Sequence, residues 1–281
     1  MEIFIKMNNQ LEIDLDFTVL MPTYNRQDLC DLFEYAIDSV LENSVLPEKI
    51  IVVVDGPVSQ VFEEKIRRYE KAKKINVLWL KKNVGLTKAL NIGLNNVTTT
   101  WVLRADGDDF NLPDRFAKQI EYMRKGYDLI GGAIREVDRD GKELALRRVP
   151  TEQSEILSFM ARRCPFNHMT VAFRTELVRK CGGYPDVYLK EDYALWALMI
   201  KNGAKVANSP EILVNATTGA DMYGRRGGLK YVISEYHLQC HLIECGLKGV
   251  WAAFFHGISR ALVFLMPSYL RSKIYVKFLR N

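Results

Sequence analysis

The chain has 281 residues, 48% of them hydrophobic, enough for one large domain or one domain with an appendage. Its net charge of +5 comes from 39 basic and 34 acidic residues, and the excess lies in the tail: beyond Glu244 there are six Lys or Arg and no acid. The five cysteines, odd in number and without a CxxC pair, argue against a disulfide framework or zinc site and for a reducing compartment.

The first ten residues show no long apolar core or cleavage signature, so no signal peptide is expected. Phe17 to Met21 reads as a buried strand stopped by Pro22, followed by helical spacing from Leu29 to Leu41. Ile50 to Val54 is a β-branched run typical of a parallel strand covered on both faces, and it ends at Asp55-Gly56-Pro57. A charged helix over about 60–73, a strand over 77–80, a helix from Leu86 to Leu94 and a strand over 100–103 complete a β-α-β-α-β-α-β order. That order implies a mainly parallel sheet with right-handed crossovers, whose ligands bind beyond the carboxyl ends of the strands. Segments 128–134 and 143–148 flank a hairpin turn at Asp138-Arg139-Asp140-Gly141, and helices are expected over 152–162 and 191–201. Gly219 to Gly228 reads as a loop, and helices follow from Leu229.

Arg104-Ala105-Asp106-Gly107-Asp108-Asp109 carries the most chemistry. Three carboxylates in four positions at the end of a buried strand repel one another, and a low-dielectric flank raises their pKa values. A divalent cation removes that conflict, and hard oxygen ligands suit Mg²⁺ or Mn²⁺ with positions left for phosphate oxygens. The other reading is a solvated acidic turn.

The motif order resembles family 2 of the glycosyltransferases, with the GT-A nucleotide-sugar fold. The matching residues are Pro22 to Arg26, Val53 to Gly56, Asn83-Val84-Gly85-Leu86 with Ala89 and Asn91 to Gly93, Arg104 to Asp109, and Glu191 to Trp196. The subgroup it looks most like builds O-antigen and exopolysaccharide repeat units on a lipid carrier, amylovoran-type transferases included. Asp55-Gly56-Pro57 departs from the two aspartates and serine of many relatives. The resemblance implies an α/β fold, a mixed, mainly parallel sheet flanked by helices, over residues 15–215. A mobile loop and a basic, aromatic helical extension would occupy 216–281.

The same resemblance implies the roles. Asp108 would be the direct ligand of Mn²⁺ or Mg²⁺, with Asp106 facing the metal or the ribose, and Asp109 either orienting this loop or capping the helix near Pro113. Pro22, Thr23, Tyr24 and Arg26 would line the base pocket, and Asp55 would accept from the uracil N–H. Asn83, Gly85 and Lys88 would lie near ribose and diphosphate, and Arg104 would belong to the donor site. Arg225 and Arg226 suit the donor diphosphate or the acceptor's lipid diphosphate. Asp192 would be the general base of an inverting displacement, with Glu191 able to exchange roles. His168 and Trp196 would meet the acceptor, unless Trp196 is core and His168 structural.

The implied reaction moves a hexose, galactose first and glucose second, from a UDP-sugar to an N-acetylhexosamine on undecaprenyl diphosphate. No nucleic-acid partner is expected. Tail residues Lys248, Arg260, Arg271, Lys273, Lys277 and Arg280, interleaved with aromatics, suggest an anionic membrane surface; a packed helix pair with a solvated basic face is the alternative. No run is long enough to span a bilayer, since His256, Gly257, Ser259 and Arg260 interrupt Val250 to Met266. The expected location is the inner face of a bacterial cytoplasmic membrane. Rival readings are a sugar-nucleotide nucleotidyltransferase, for which Pro22 to Arg26 is not the needed glycine-rich loop, an aspartate-dependent phosphohydrolase, and a non-catalytic peripheral membrane protein.

Overall fold

The computed structural model describes residues 15–218, 227–267 and 269. Strand β1 (Phe17–Thr23), helix α1 (Gln27–Leu41), β2 (Lys49–Val54), α2 (Gln60–Lys71), β3 (Asn76–Trp79), α3 (Leu86–Asn95) and β4 (Trp101–Arg104) form the first half. All pairings among β1 to β4 are parallel, in the order β3-β2-β1-β4. Their side chains divide by the two-residue period of a strand. Leu20, Ile51, Val53 and Val102 enter one buried cluster; Val19, Met21, Ile50, Val52, Val54, Trp101 and Leu103 enter the other. Both faces are covered, which explains why these strands read as unbroken apolar runs.

The second half adds β5 (Phe110–Asn111), α4 (Arg115–Arg124), β6 (Leu129–Val137), β7 (Glu143–Arg147), α5 (Gln153–Met160), a short 3₁₀ turn (His168–Thr170), β8 (Ala172–Arg174), α6 (Thr175–Lys180), α7 (Glu191–Lys201) and β9 (Val206–Thr217). The sheet continues as β4-β8-β6-β9-β5 and becomes mixed: β8 runs antiparallel to β4 and β6, while β9 runs parallel to β6. The expected hairpin is present between β6 and β7, its turn held by Asp138 Oδ1, which accepts from the amides of Asp140 (3.0 Å) and Lys142 (2.9 Å).

Helices α8 (Leu229–Glu244) and α9 (Val250–Leu265) follow. Leu238, Leu242 and Cys245 pack into the same cluster as Trp196 and Phe173, and His241 Nε2 lies 3.0 Å from the Ala194 carbonyl of α7. The expected boundary at 215/216 therefore falls just before the end of β9, and α8 shares the core of the preceding half.

Candidate active site at the carboxyl ends of the strands

The polar motifs meet where β1, β2 and β4 end. Pro22 and Thr23 close β1 as buried residues, and Thr23 Oγ1 is a buried hydroxyl with no hydrogen-bond partner among the described residues. Such an atom calls for a ligand or water. Next in the chain, exposed Tyr24 receives a hydrogen bond from Arg26 (3.1 Å), whose guanidinium also pairs with Asp28 and, at 2.6 Å, with Asp108. Burial alone would lower the Arg26 pKa, but Asp28 and Asp108 raise it.

At the end of β2, buried Asp55 accepts from the amides of Val84 (2.7 Å) and Gly85 (2.9 Å), one on each oxygen. A carboxylate has about four lone-pair sites, so both oxygens keep acceptor capacity. Asn83 donates to the Asp55 carbonyl at 3.1 Å. Gly56 is required here. Its φ is +92°, and a Cβ would sit 2.6 Å from the Asn83 nitrogen. The loop 83–85 is thereby folded onto Asp55, and Lys88 stands exposed in the first turn of α3.

The acidic loop follows β4. Arg104, 1% exposed, donates to the carbonyls of Leu20 (3.3 Å) and Ala105 and pairs with Asp106. It has no surface left for a direct donor contact; the expectation is corrected to an anchor of the loop. Burial pushes the Asp106 carboxyl up, but the buried guanidinium of Arg104, with Arg115, outweighs it and holds the pKa low. Asp108 goes the other way: burial and the Asp106 charge push it up to about 6 against the pull of Arg26. Asp109 is buried, lies well above the ordinary range because of burial and its two neighbours, and accepts from the Thr217 amide at 2.8 Å. It ties the loop to β9. It does not cap α4, whose N-cap is Asp114.

The second group of residues comes from the start of α7. Glu191 is 5% exposed, and burial and Asp192 push its pKa up to about 7, with Arg104 opposing. Asp192 is half-buried, and its Oδ1 accepts from the Tyr193 amide at 2.7 Å. Burial and Arg104 pull His168 down to about 3, so its ring is neutral; its Nε2 lies 3.0 Å from the Tyr184 hydroxyl. Trp196 is corrected: at 0% exposure, packed against Phe166, His168, Phe173 and Tyr184, it offers no face to a sugar. Arg225 and Arg226, and the tail residues Arg271 to Arg280, lie outside the described residues.

Two contributors had no role assigned from the sequence. Arg115 is completely buried, donates to the Arg104 carbonyl (2.6 Å) and to Gln119 (3.1 Å), and its pKa falls to about 9 through burial and Arg104. An arginine in the first turn of a helix reads as solvated, so no signal pointed to it. Asn91 had no assigned role; its amide brackets Tyr184, accepting from the backbone N–H (2.8 Å) and donating to the C=O (2.9 Å).

Among the described residues no three His, Cys, Asp or Glu side chains converge to hold a metal. Asp106 and Asp108 form a pair whose repulsion raises Asp108. A hard cation that takes one or two carboxylates and completes its shell with phosphate and water fits that donor set. A surface cleft of about 510 Å³ lies at the other end of the strands, lined by Leu15, Phe17, Pro47, Ile120 and Arg124, away from these motifs.

Residues 18–182 match the family model described as "Glycosyl transferase family 2". The amylovoran biosynthesis glycosyltransferase AmsE of Erwinia amylovora is 36% identical, over 93% of this chain and 98% of that one. An Escherichia coli protein named UDP-Gal:alpha-D-GlcNAc-diphosphoundecaprenol beta-1,3-galactosyltransferase is 35% identical, over 94% and 97%. Among solved structures, Staphylococcus aureus TarS 1–349 superposes with a TM-score of 0.67 at 15% identity, covering 94% of this chain and 75% of that one. The Pyrobaculum calidifontis mannosyltransferase PcManGT, in complex with GDP-Man and Mn²⁺, gives 0.59 at 16%, over 94% and 81%. The fold is thus the GT-A-like α/β arrangement, with helices at its C-terminal end.

Proposed function

The chain belongs to glycosyl transferase family 2, and on that premise we propose that it transfers galactose, or failing that glucose, from a UDP-sugar to a lipid-diphosphate-linked N-acetylhexosamine with inversion. The product would be an O-antigen or exopolysaccharide repeat unit built at the inner face of the cytoplasmic membrane. The observation that carries the reading is the Asp106–Asp108 pair at the end of β4, set beside the Glu191–Asp192 pair at the start of α7. The 35% identical E. coli relative, whose name states a UDP-Gal donor and a GlcNAc-diphosphoundecaprenol acceptor, supports the substrate classes.

Donor binding falls to the loops after β1 and β2. Asp55 would accept from the uracil N–H beside Thr23 and Tyr24, and loop 83–85, folded onto Asp55, would meet the ribose. Asp106 and Asp108 would hold Mn²⁺ or Mg²⁺, which when bound offsets charge developing on the leaving diphosphate. Arg104 and Arg115 keep Asp106 ionised for that role, and Arg26 brings a further positive charge to the same edge.

Acceptor activation falls to α7. Of two adjacent carboxylates, the one left closer to solvent is the better placed to take a proton from an acceptor. Burial keeps Glu191 partly protonated near neutrality and out of reach, which leaves half-buried Asp192 to take the proton from the attacking hydroxyl. Neutral His168, fixed against Tyr184, would position the acceptor without competing for that proton.

The test incubates the full chain with UDP-Gal or UDP-Glc, Mn²⁺ and a synthetic N-acetylglucosaminyl diphosphate lipid, with mass spectrometry as readout. A product longer by one hexose, lost with EDTA and restored by Mn²⁺, is expected. No elongated product from any nucleotide-sugar would overturn the reading.

A further inference from the structure

Helix α9 is amphipathic the wrong way round for a helix facing water. An ordinary surface helix buries its apolar stripe and exposes its charges. Here Ala253 and Phe264 are buried, while Trp251, Phe254, Phe255, Ile258, Leu262 and Leu265 project outward, with Trp251 75%, Phe255 66% and Leu262 59% exposed. Arg260, the helix's sole Lys or Arg, is half-buried. It acts electrostatically on Glu235 and Lys190, a buried ion pair between α8 and the residue before Glu191. The neighbouring helix adds exposed Ile233 and Tyr236. A contiguous apolar patch of this kind marks an interaction surface.

We infer that the outward face of α9 is a membrane-docking surface that lies in the headgroup region of an anionic phospholipid bilayer. Charge chooses this occupant. No acidic residue follows Glu244, and six basic residues do, which matches anionic lipid and works against pairing of two copies of the same basic segment. Trp251 and Tyr236 suit the headgroup boundary, where one end of the ring is apolar and the other wet, and Phe254 and Phe255 add apolar area beside them. The 16 residues of α9 extend only about 24 Å, and no described helix is long and apolar enough to cross a membrane, so the helix lies in the interface.

The docking surface stands on α9 itself; its relevance to the acceptor rests on the glycosyltransferase reading. Docking would also orient the catalytic end. Ser234 donates to the Tyr188 carbonyl and Glu235 pairs with Lys190, so α8 grips the turn that leads into Glu191 and Asp192.

The experiment is co-sedimentation of the full chain with phosphatidylcholine vesicles, with and without phosphatidylglycerol, at low and high salt. Wild type is compared with the double variant Trp251→Ser and Phe255→Ser. Both side chains are exposed, so thermal unfolding should match wild type. Removing these two aromatic rings from the bilayer contact should lower vesicle partitioning at least about tenfold, and binding to anionic vesicles should weaken with salt. Failure to bind anionic vesicles overturns the proposal, as does binding that the variant leaves unchanged. A wild-type dimer dispersed by the same variant, with no vesicle binding, would reassign the face to an interface between copies. Transfer to a short, water-soluble diphosphate acceptor is measured in parallel. Its absence alongside intact vesicle binding would count against the glycosyltransferase reading and leave the docking surface standing.

Discussion

Replacing Glu191 by Gln should make the protein more stable in mildly alkaline solution. The Glu191 carboxyl is held at about 7 against an ordinary value of 4.5 because it is buried beside Asp192. Between those two pH values the folded state binds more protons than the unfolded state, so this group lowers stability as pH rises through the window. A shift of this size amounts to about 3 kcal/mol at pH 8 and about half that near pH 5.5. Gln mimics the protonated acid and removes the loss. Urea unfolding at the two pH values checks it: the variant should be more stable than wild type at pH 8, and the gap should narrow at pH 5.5. At about 2–4 °C per kcal/mol, Tm at pH 8 should rise by several degrees. A variant no more stable than wild type at pH 8, or a gap independent of pH, would refute the burial argument.

The other expectations concern chemistry and backbone. Asp192→Asn should retain UDP binding, measured by calorimetry, and lose transfer by roughly 10²–10⁴-fold, the usual contribution of a general base; near-normal turnover would move that role to Glu191. Gly56→Ala, which forces a Cβ within 2.6 Å of the Asn83 nitrogen at a φ of +92°, should cost about 2–4 kcal/mol and weaken UDP binding. A thermal-shift measurement with and without UDP reads both effects, and an unperturbed melting curve would contradict the close approach.

The parallel half of the fold was legible because β1, β2 and β4 are covered on both faces and spell uninterrupted apolar runs. The long strand β9 was not. Asn208, Ser209, Pro210 and Glu211 interrupt its pattern where its pairing with β6 shifts register, so local periodicity is lost where the sheet bends. In the site, carboxylates and glycines announce themselves through a few short motifs. Arg104 stood inside one of them, yet its complete burial depends on Leu20 and Ala105 carbonyls and on Arg115, contacts that no local spacing encodes. Trp196 shows the same limit in reverse: the motif it belongs to put it near the acceptor, with a core position as the alternative, and Phe166, Phe173 and Tyr184 from three distant segments enclose it.

The junction between β4 and β8 bears on how such enzymes can be recombined. Only three residue pairs join the two strands, Trp101 with Arg174, Val102 with Phe173 and Leu103 with Ala172, which suggests an easy place to graft a new second half onto an existing first half. The side chains say otherwise, because Leu20, Val53 and Val102 from one half share a single apolar cluster with Phe173, Trp196 and Leu238 from the other. A chimaera cut at the backbone seam would divide that cluster between two parents. A workable exchange has to carry Leu20, Val53 and Val102 across together with Phe173, Trp196 and α8, so the practical unit of swapping is a packing layer and not a stretch of chain.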